Sequence, residues 1–139
     1  MKLIFRGEKW YNKNNIIMND KNTTLHDLKK LISKFRDDRN WAKFHDPKNL
    51  AEAISVEAAE LQELFLWQDV KAVVKKIKND PVYRKTVEEE FADVMIFAIN
   101  FANAVKIDIA KVVKEKIDKN NKKYPAGKVK GKADKYLIL

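Results

Sequence analysis

Apolar residues return every three to four positions along most of this chain, the spacing of one face of an α-helix. Leu28, Leu31, Ile32 and Phe35 mark the first such stretch, which ends near Arg39. It starts at Thr24-Leu-His-Asp27, a capping box with Asp in place of the usual Glu. Asp46-Pro47 and Asp80-Pro81 each offer a capping acid followed by proline at the first helical position. They predict helices from about 47 to 67 and from 81 to about 105, with a short connecting helix over about 70–78. Asp108 caps a further helix that runs through about 123 and is stopped by Tyr124-Pro125. Residues 1–22 show no clear period and are rich in Asn and Lys; only Phe5 and Trp10 stand out as side chains able to order them.

The prediction is an all-α fold of four principal helices around one core, spanning residues 23–125. An extension, 1–22, precedes it and a basic tail, 126–139, follows. The apolar stripes exceed what one core of a 139-residue chain can cover, so a homo-oligomer is expected, a dimer or a dimer-of-dimers tetramer.

Composition narrows the class. Only 3 glycines and 3 prolines occur beside 45% apolar residues, which favours helices over a β-rich or disordered chain. There is no cysteine, hence no disulfide framework and no thiolate metal site. No apolar run approaches the ~20 residues that span a membrane, and no signal-peptide core is visible, so the cytoplasm is the expected compartment. The net charge of +9 concentrates at the end: residues 106–139 hold 11 lysines against 4 acids, a local balance of +7. Such a segment attracts phosphates, whether of a small polyphosphate or of nucleic acid, and it also serves plain solubility.

The acids carry the chemistry. Glu57 and Glu60, and then Glu90 and Asp93, sit at i,i+3 spacing, so each pair shares a helix face. Acids at that spacing are common on solvated faces. These interrupt apolar stripes instead, Ile54–Glu57–Leu61–Leu64 and Val87–Glu90–Val94–Phe101, where a buried charge is costly unless neutralised. Two helices turning such pairs inward make an oxygen-rich cluster suited to Mg²⁺, with Mn²⁺ as a substitute. A cage of this kind can hold and cut phosphate esters or anhydrides, with a metal-activated water as the attacking group. No Gly-rich phosphate loop is possible with glycines only at 7, 127 and 131, and no Glu-x-x-His pair of the di-iron bundles occurs.

Other groups fit a nucleotide. Trp41, Phe44 and Trp67 offer flat surfaces for stacking a base, although each taken singly reads as a core or interface aromatic. His45, Lys48 and Asn49 follow Trp41 within eight residues and supply hydrogen-bond donors. Lys116, Asn120, Lys123 and Tyr124 return at helical spacing and make one donor-rich face, the lysines acting as point charges for phosphate.

These segments resemble the all-α MazG-like nucleoside triphosphate pyrophosphohydrolases, and among them most of all the dCTP pyrophosphatase branch. The similarity is carried by Arg39-Asn-Trp-Ala-Lys-Phe-His-Asp-Pro-Lys-Asn49, by Val56-Glu-Ala-Ala-Glu-Leu-Gln-Glu-Leu-Phe-Leu-Trp67, by Glu89-Glu-Phe-Ala-Asp-Val-Met-Ile-Phe97 and by Lys116-Ile-Asp-Lys-Asn-Asn-Lys-Lys-Tyr-Pro125. The resemblance implies a MazG-like bundle in which Glu57, Glu60, Glu90 and Asp93 hold Mg²⁺, with Glu63 as a further candidate for orienting water. It implies a nucleotide pocket lined by Trp41, His45, Trp67 and Phe97, with Lys48 and Asn49 nearby. Lys116, Asn120, Lys123 and Tyr124 would touch phosphate or sugar. The expected partner is a (d)NTP, dCTP first, cleaved to (d)NMP and pyrophosphate in nucleotide-pool house-cleaning; nucleic acid is not expected. Phe97 and Ile32 stand where the animal dCTP enzymes carry a tyrosine and a histidine, which removes hydrogen-bonding groups and predicts broader base tolerance. The alternative is a nucleic-acid-binding or nucleotide-sensing helical module that uses the basic C-terminal region.

Overall fold

The computed structural model describes residues 17–131 in full, together with the backbone of two short strands, β1 Ile4–Arg6 and β2 Lys9–Tyr11. These pair antiparallel, Phe5 opposite Trp10, inside the extension that showed no period. Strands of three residues are too short for alternation to be readable. The side chains of Phe5 and Trp10 and the end of the basic tail, 132–139, lie outside the described residues.

Among the described residues six α-helices follow: α1 Leu25–Asp37, α2 Pro47–Glu63, α3 Val70–Asn79, α4 Pro81–Ala104, α5 Ile109–Lys123 and α6 Ala126–Val129. The fold is all-α, as expected, and α6 adds a single turn within the tail. The capping box forms at α1: Thr24 Oγ1 accepts from the Asp27 amide at 3.2 Å, and the Asp27 carboxylate accepts from the Thr24 amide at 3.1 Å. Asp46, Asp69 and Asp80 each take two first-turn amides, and Asp108 takes one, which satisfies donors that have no partner within the helix.

One boundary differs from expectation. Helix α2 stops at Glu63, not Trp67, and Leu64–Trp67 turn the chain over. Trp67 adopts φ 60°, a left-handed backbone that ends a helix however apolar its side chain is.

The chain divides into two compact units, Met1–Val105 and Lys106–Leu139. In the first, α4 packs against α2, α1 and α3. The Tyr83 hydroxyl donates to the Leu64 carbonyl at 2.6 Å, tying the start of α4 to the end of α2, so these two helices run antiparallel. Further along, Asn103 Nδ2 donates to the Lys29 carbonyl and to Ser33 Oγ, each at 3.0 Å, and fixes α1 to the second half of α4. Among the described residues, Ile32, Leu50, Ile99 and Ala102 are the buried apolar side chains there. The second unit holds α5 and α6, in which the side chains are mostly exposed.

Candidate metal and nucleotide site

Each acidic residue owes its position to the stripe around it. Ile54 and Leu61 on α2 with Leu64 just beyond it, and Val87, Val94 and Phe101 on α4, are part-buried, and their burial turns the intervening acids toward the helix pair. Carboxylate oxygens of Glu57, Glu90 and Asp93 lie within 4.8 Å of one another, and all three residues are half-buried. Burial raises the Glu57 carboxyl above the ordinary value, and the charges of Glu60, Asp93 and Glu90 push it further in that direction. The group is therefore self-repulsive. Three converging carboxylates without His or Cys fit a hard divalent cation such as Mg²⁺ or Mn²⁺, which takes oxygen ligands and would relieve the repulsion.

The expected set of four is here a set of three. Glu60 is exposed and stands outside the converging trio, although its charge is the foremost one acting on Glu57. A glutamate on the rim of a helix pair keeps its hydration unless something draws it inward. Glu63, the last residue of α2, is also exposed.

The loop before α2 carries the aromatic group. Trp41 packs edge-on against Phe35 with ring centroids 5.9 Å apart, and the Arg39 guanidinium lies 3.7 Å from the Phe35 centroid. Phe44 is exposed beside the Lys43 ammonium. The Asn49 side chain donates to the Phe44 carbonyl at 3.2 Å and closes the loop, while Lys48 pairs with Glu52 at 2.8 Å. His45 turns inward and lies beside Phe97 of α4, ring centroids 6.3 Å apart. Burial, with the Arg36 charge in support, holds its imidazole below the ordinary histidine value, so the ring is neutral at physiological pH.

Trp41 and Trp67 do not meet in the single chain. They lie off opposite ends of α2, whose 17 residues span roughly 25 Å. Trp67 is 95% exposed. Lys116, Asn120 and Lys123 are exposed on α5 in the second unit, and Tyr124, just beyond it, lies beside the Lys123 ammonium.

Asn100 was not visible to sequence reasoning. It is buried on α4, on the stripe of Asp93 and Phe97, and its Oδ1 has no hydrogen-bond partner. The available signal was a carboxamide at i+7 from Asp93, in a position where an apolar residue was expected.

An antiparallel helix pair with converging acids, flanked by an aromatic loop, defines an all-α protein with a cluster of three carboxylates between two helices. The sequence pattern of the MazG-like family matches residues 53–138. The chain is 35% identical over 116 residues to dCTP pyrophosphatase 1 of Rattus norvegicus and 34% identical to that of Homo sapiens, spanning 84% of this chain and 68% of each relative. A solved pyrophosphatase of Archaeoglobus fulgidus DSM 4304 superimposes with a TM-score of 0.68 at 36% identity, covering 78% of this chain and 98% of that one. The chain belongs to the MazG-like family.

Proposed function

We propose that the chain is a Mg²⁺-dependent nucleoside triphosphate pyrophosphatase that converts a (d)NTP, dCTP first, to the monophosphate and pyrophosphate. Its role is nucleotide-pool house-cleaning in the cytoplasm. The observation that carries the reading is the convergence of Glu57, Glu90 and Asp93 within 4.8 Å, with a Glu57 carboxyl already strained by its neighbours. Family membership supports the hydrolase class, and the named relatives support the substrate.

Glu57, Glu90 and Asp93 would hold the ion, with Glu60 joining by side-chain rotation. A bound Mg²⁺ would neutralise triphosphate charge and lower the pKa of a water. One of these carboxylates, or Glu63 further along α2, would orient that water. Trp41, His45 and Phe97 surround the nucleoside, with Lys48 and Asn49 at the edge. Lys116, Asn120, Lys123 and Tyr124 supply phosphate or sugar contacts.

Incubating the protein with each common NTP and dNTP in Mg²⁺ should release pyrophosphate and the monophosphate, with no turnover in a chelator. Orthophosphate without pyrophosphate would refute the bond assignment. Absent turnover combined with salt-dependent DNA or RNA binding would favour a nucleic-acid module instead.

The active form is a homo-oligomer. Val56 and Leu66, Val70 and Val74 of α3, and Val82, Phe91 and Met95 of α4 are exposed in the single chain beside Trp67, more apolar surface than one soluble domain usually leaves open. A second copy covers these faces and brings its Trp67 near the site that the first copy's Trp67 cannot reach. Light scattering should give a dimer or tetramer mass, and Trp67→Ala should weaken both assembly and nucleotide affinity; a fully active monomer would refute the assembly.

A further inference from the structure

Among the described residues, two buried side-chain atoms lack a hydrogen-bond partner: His45 Nδ1 and Asn100 Oδ1. Both adjoin one residue, Phe97. The His45 ring lies beside it, and Asn100 follows it by one helical turn on α4. Asn100 is only 3% exposed. An orphaned buried amide is unfavourable because it has left water without gaining a partner, and a leucine would fill such a place without that cost. Native interiors rarely keep such groups without a use.

Position indicates the use. Seven residues separate Asp93 from Asn100, about 10.5 Å along the helix and nearly the same angular direction. On the antiparallel α2, counting back from the Leu64–Tyr83 bond brings Leu50 to the level of Phe97, within a turn of Asn100, on the other side of the pair. The helix pair thus has an ionic end at Glu57, Glu90 and Asp93, and an apolar end with two unsatisfied polar atoms. A nucleotide with its phosphates at the first would present its base to the second. Phe97 and Ile32 bring no hydrogen bond there; Asn100 does.

We propose that Asn100 reads the base: its Oδ1 accepts a hydrogen bond from the exocyclic amine of cytosine, while Nδ2 donates to the adjacent ring nitrogen N3. This rests on the nucleotide reading of the site above. The carboxamide presents an acceptor and a donor side by side, the complement of the amine and N3 on the cytosine edge. The neutral His45 ring completes the polar lining. Oδ1 is closed off in the unliganded chain, so the base enters with side-chain rearrangement, as is common at binding surfaces.

The test is a chemical double-mutant cycle on the full chain. One ligand is the non-hydrolysable α,β-imido analogue of dCTP, and the other is the same analogue with a 2-pyrimidinone base, which lacks only the amine. Binding in Mg²⁺ is measured by calorimetry for the wild type and for Asn100→Leu, with Asn100→Ala as a second variant should leucine not be accommodated. The wild type should favour the amine by roughly tenfold, and the variants should show no preference. The Tm of Asn100→Leu should hold or rise, since an orphan amide is removed; a purely structural asparagine would lower it and weaken both ligands equally. Equal binding of the two analogues by the wild type overturns the proposal without any variant, as does a preference that the variants retain. Pyrophosphate release is scored separately. A coupled cycle without release would refute the hydrolase reading alone, and release without coupling would refute the role of Asn100 alone.

Discussion

Asp93→Asn should cut pyrophosphate release on the order of a thousandfold or more, with the helical circular dichroism unchanged. An amide keeps the shape of the carboxylate but surrenders the charge that holds a divalent cation, and several kcal/mol of transition-state stabilisation depend on that cation. At 1.36 kcal/mol per decade, a thousandfold is about 4 kcal/mol. Glu60→Gln should follow the same course if the substrate complex draws Glu60 into the trio. Near-normal turnover in Asp93→Asn would overturn the site. The loss should appear in metal affinity as well, measured by Mn²⁺ titration, which separates a lost ligand from a misplaced water.

The same cluster sets a pH dependence whose sign is fixed. The Glu57 carboxyl is raised above its ordinary value of 4.5 in the folded chain, by burial first and then by the neighbouring charges. The folded state therefore holds that proton more tightly than the unfolded state does. The resulting stability is fully present below the ordinary value and is lost as pH rises through the higher folded value. Metal-free Glu57→Gln should melt at a higher temperature than the wild type at neutral pH, and the gap should close as the pH falls toward 4.5. Added Mg²⁺ should reverse the order, because an ion that binds only the folded state stabilises it by mass action.

Much of the positioning was legible in local chemistry. Asp46-Pro47 and Asp80-Pro81 set the starts of α2 and α4, and those starts set the register that brings Glu57 opposite Glu90 and Asp93. Such signals are local: an acid captures two amides within its own turn. The end of α2 was not legible, since Phe65, Leu66 and Trp67 continue an apolar pattern that only a left-handed backbone at Trp67 interrupts. Of the four acids expected together, the structure converges three, because i,i+3 spacing places Glu57 and Glu60 on one face without showing which of them the facing helix covers. Asn100 escaped notice for the opposite reason. A single carboxamide leaves no pattern along the chain; its importance comes from burial without a partner. The separation of Trp41 from Trp67 follows from the length of a straight helix and was open to calculation once its start was fixed.

Leu50→Ala should produce the largest stability loss of any single truncation in the first unit. Leu50 is 1% exposed and is the largest fully buried side chain among the described residues, one turn inside the cap of α2. Truncation removes three carbons and leaves a cavity that a helix pair tied down by the Tyr83–Leu64 bond cannot readily close. Comparable truncations cost about 2–5 kcal/mol. For a domain of this size that corresponds to a fall in Tm of roughly 8–20 °C. The functional consequence comes through geometry. Leu50 stands at the level of Phe97, within a turn of Asn100, and holds α2 against α4, so loosening it frees Glu57 to drift from Glu90 and Asp93. Mg²⁺ affinity should therefore fall along with stability, and saturating Mg²⁺ should recover part of the lost Tm by mass action. Leu50→Met, which nearly conserves volume, should keep both within about 1.5 kcal/mol of the wild type. A Leu50→Ala protein that melts with the wild type would show that the α2–α4 contact is held elsewhere, and the acidic trio with it.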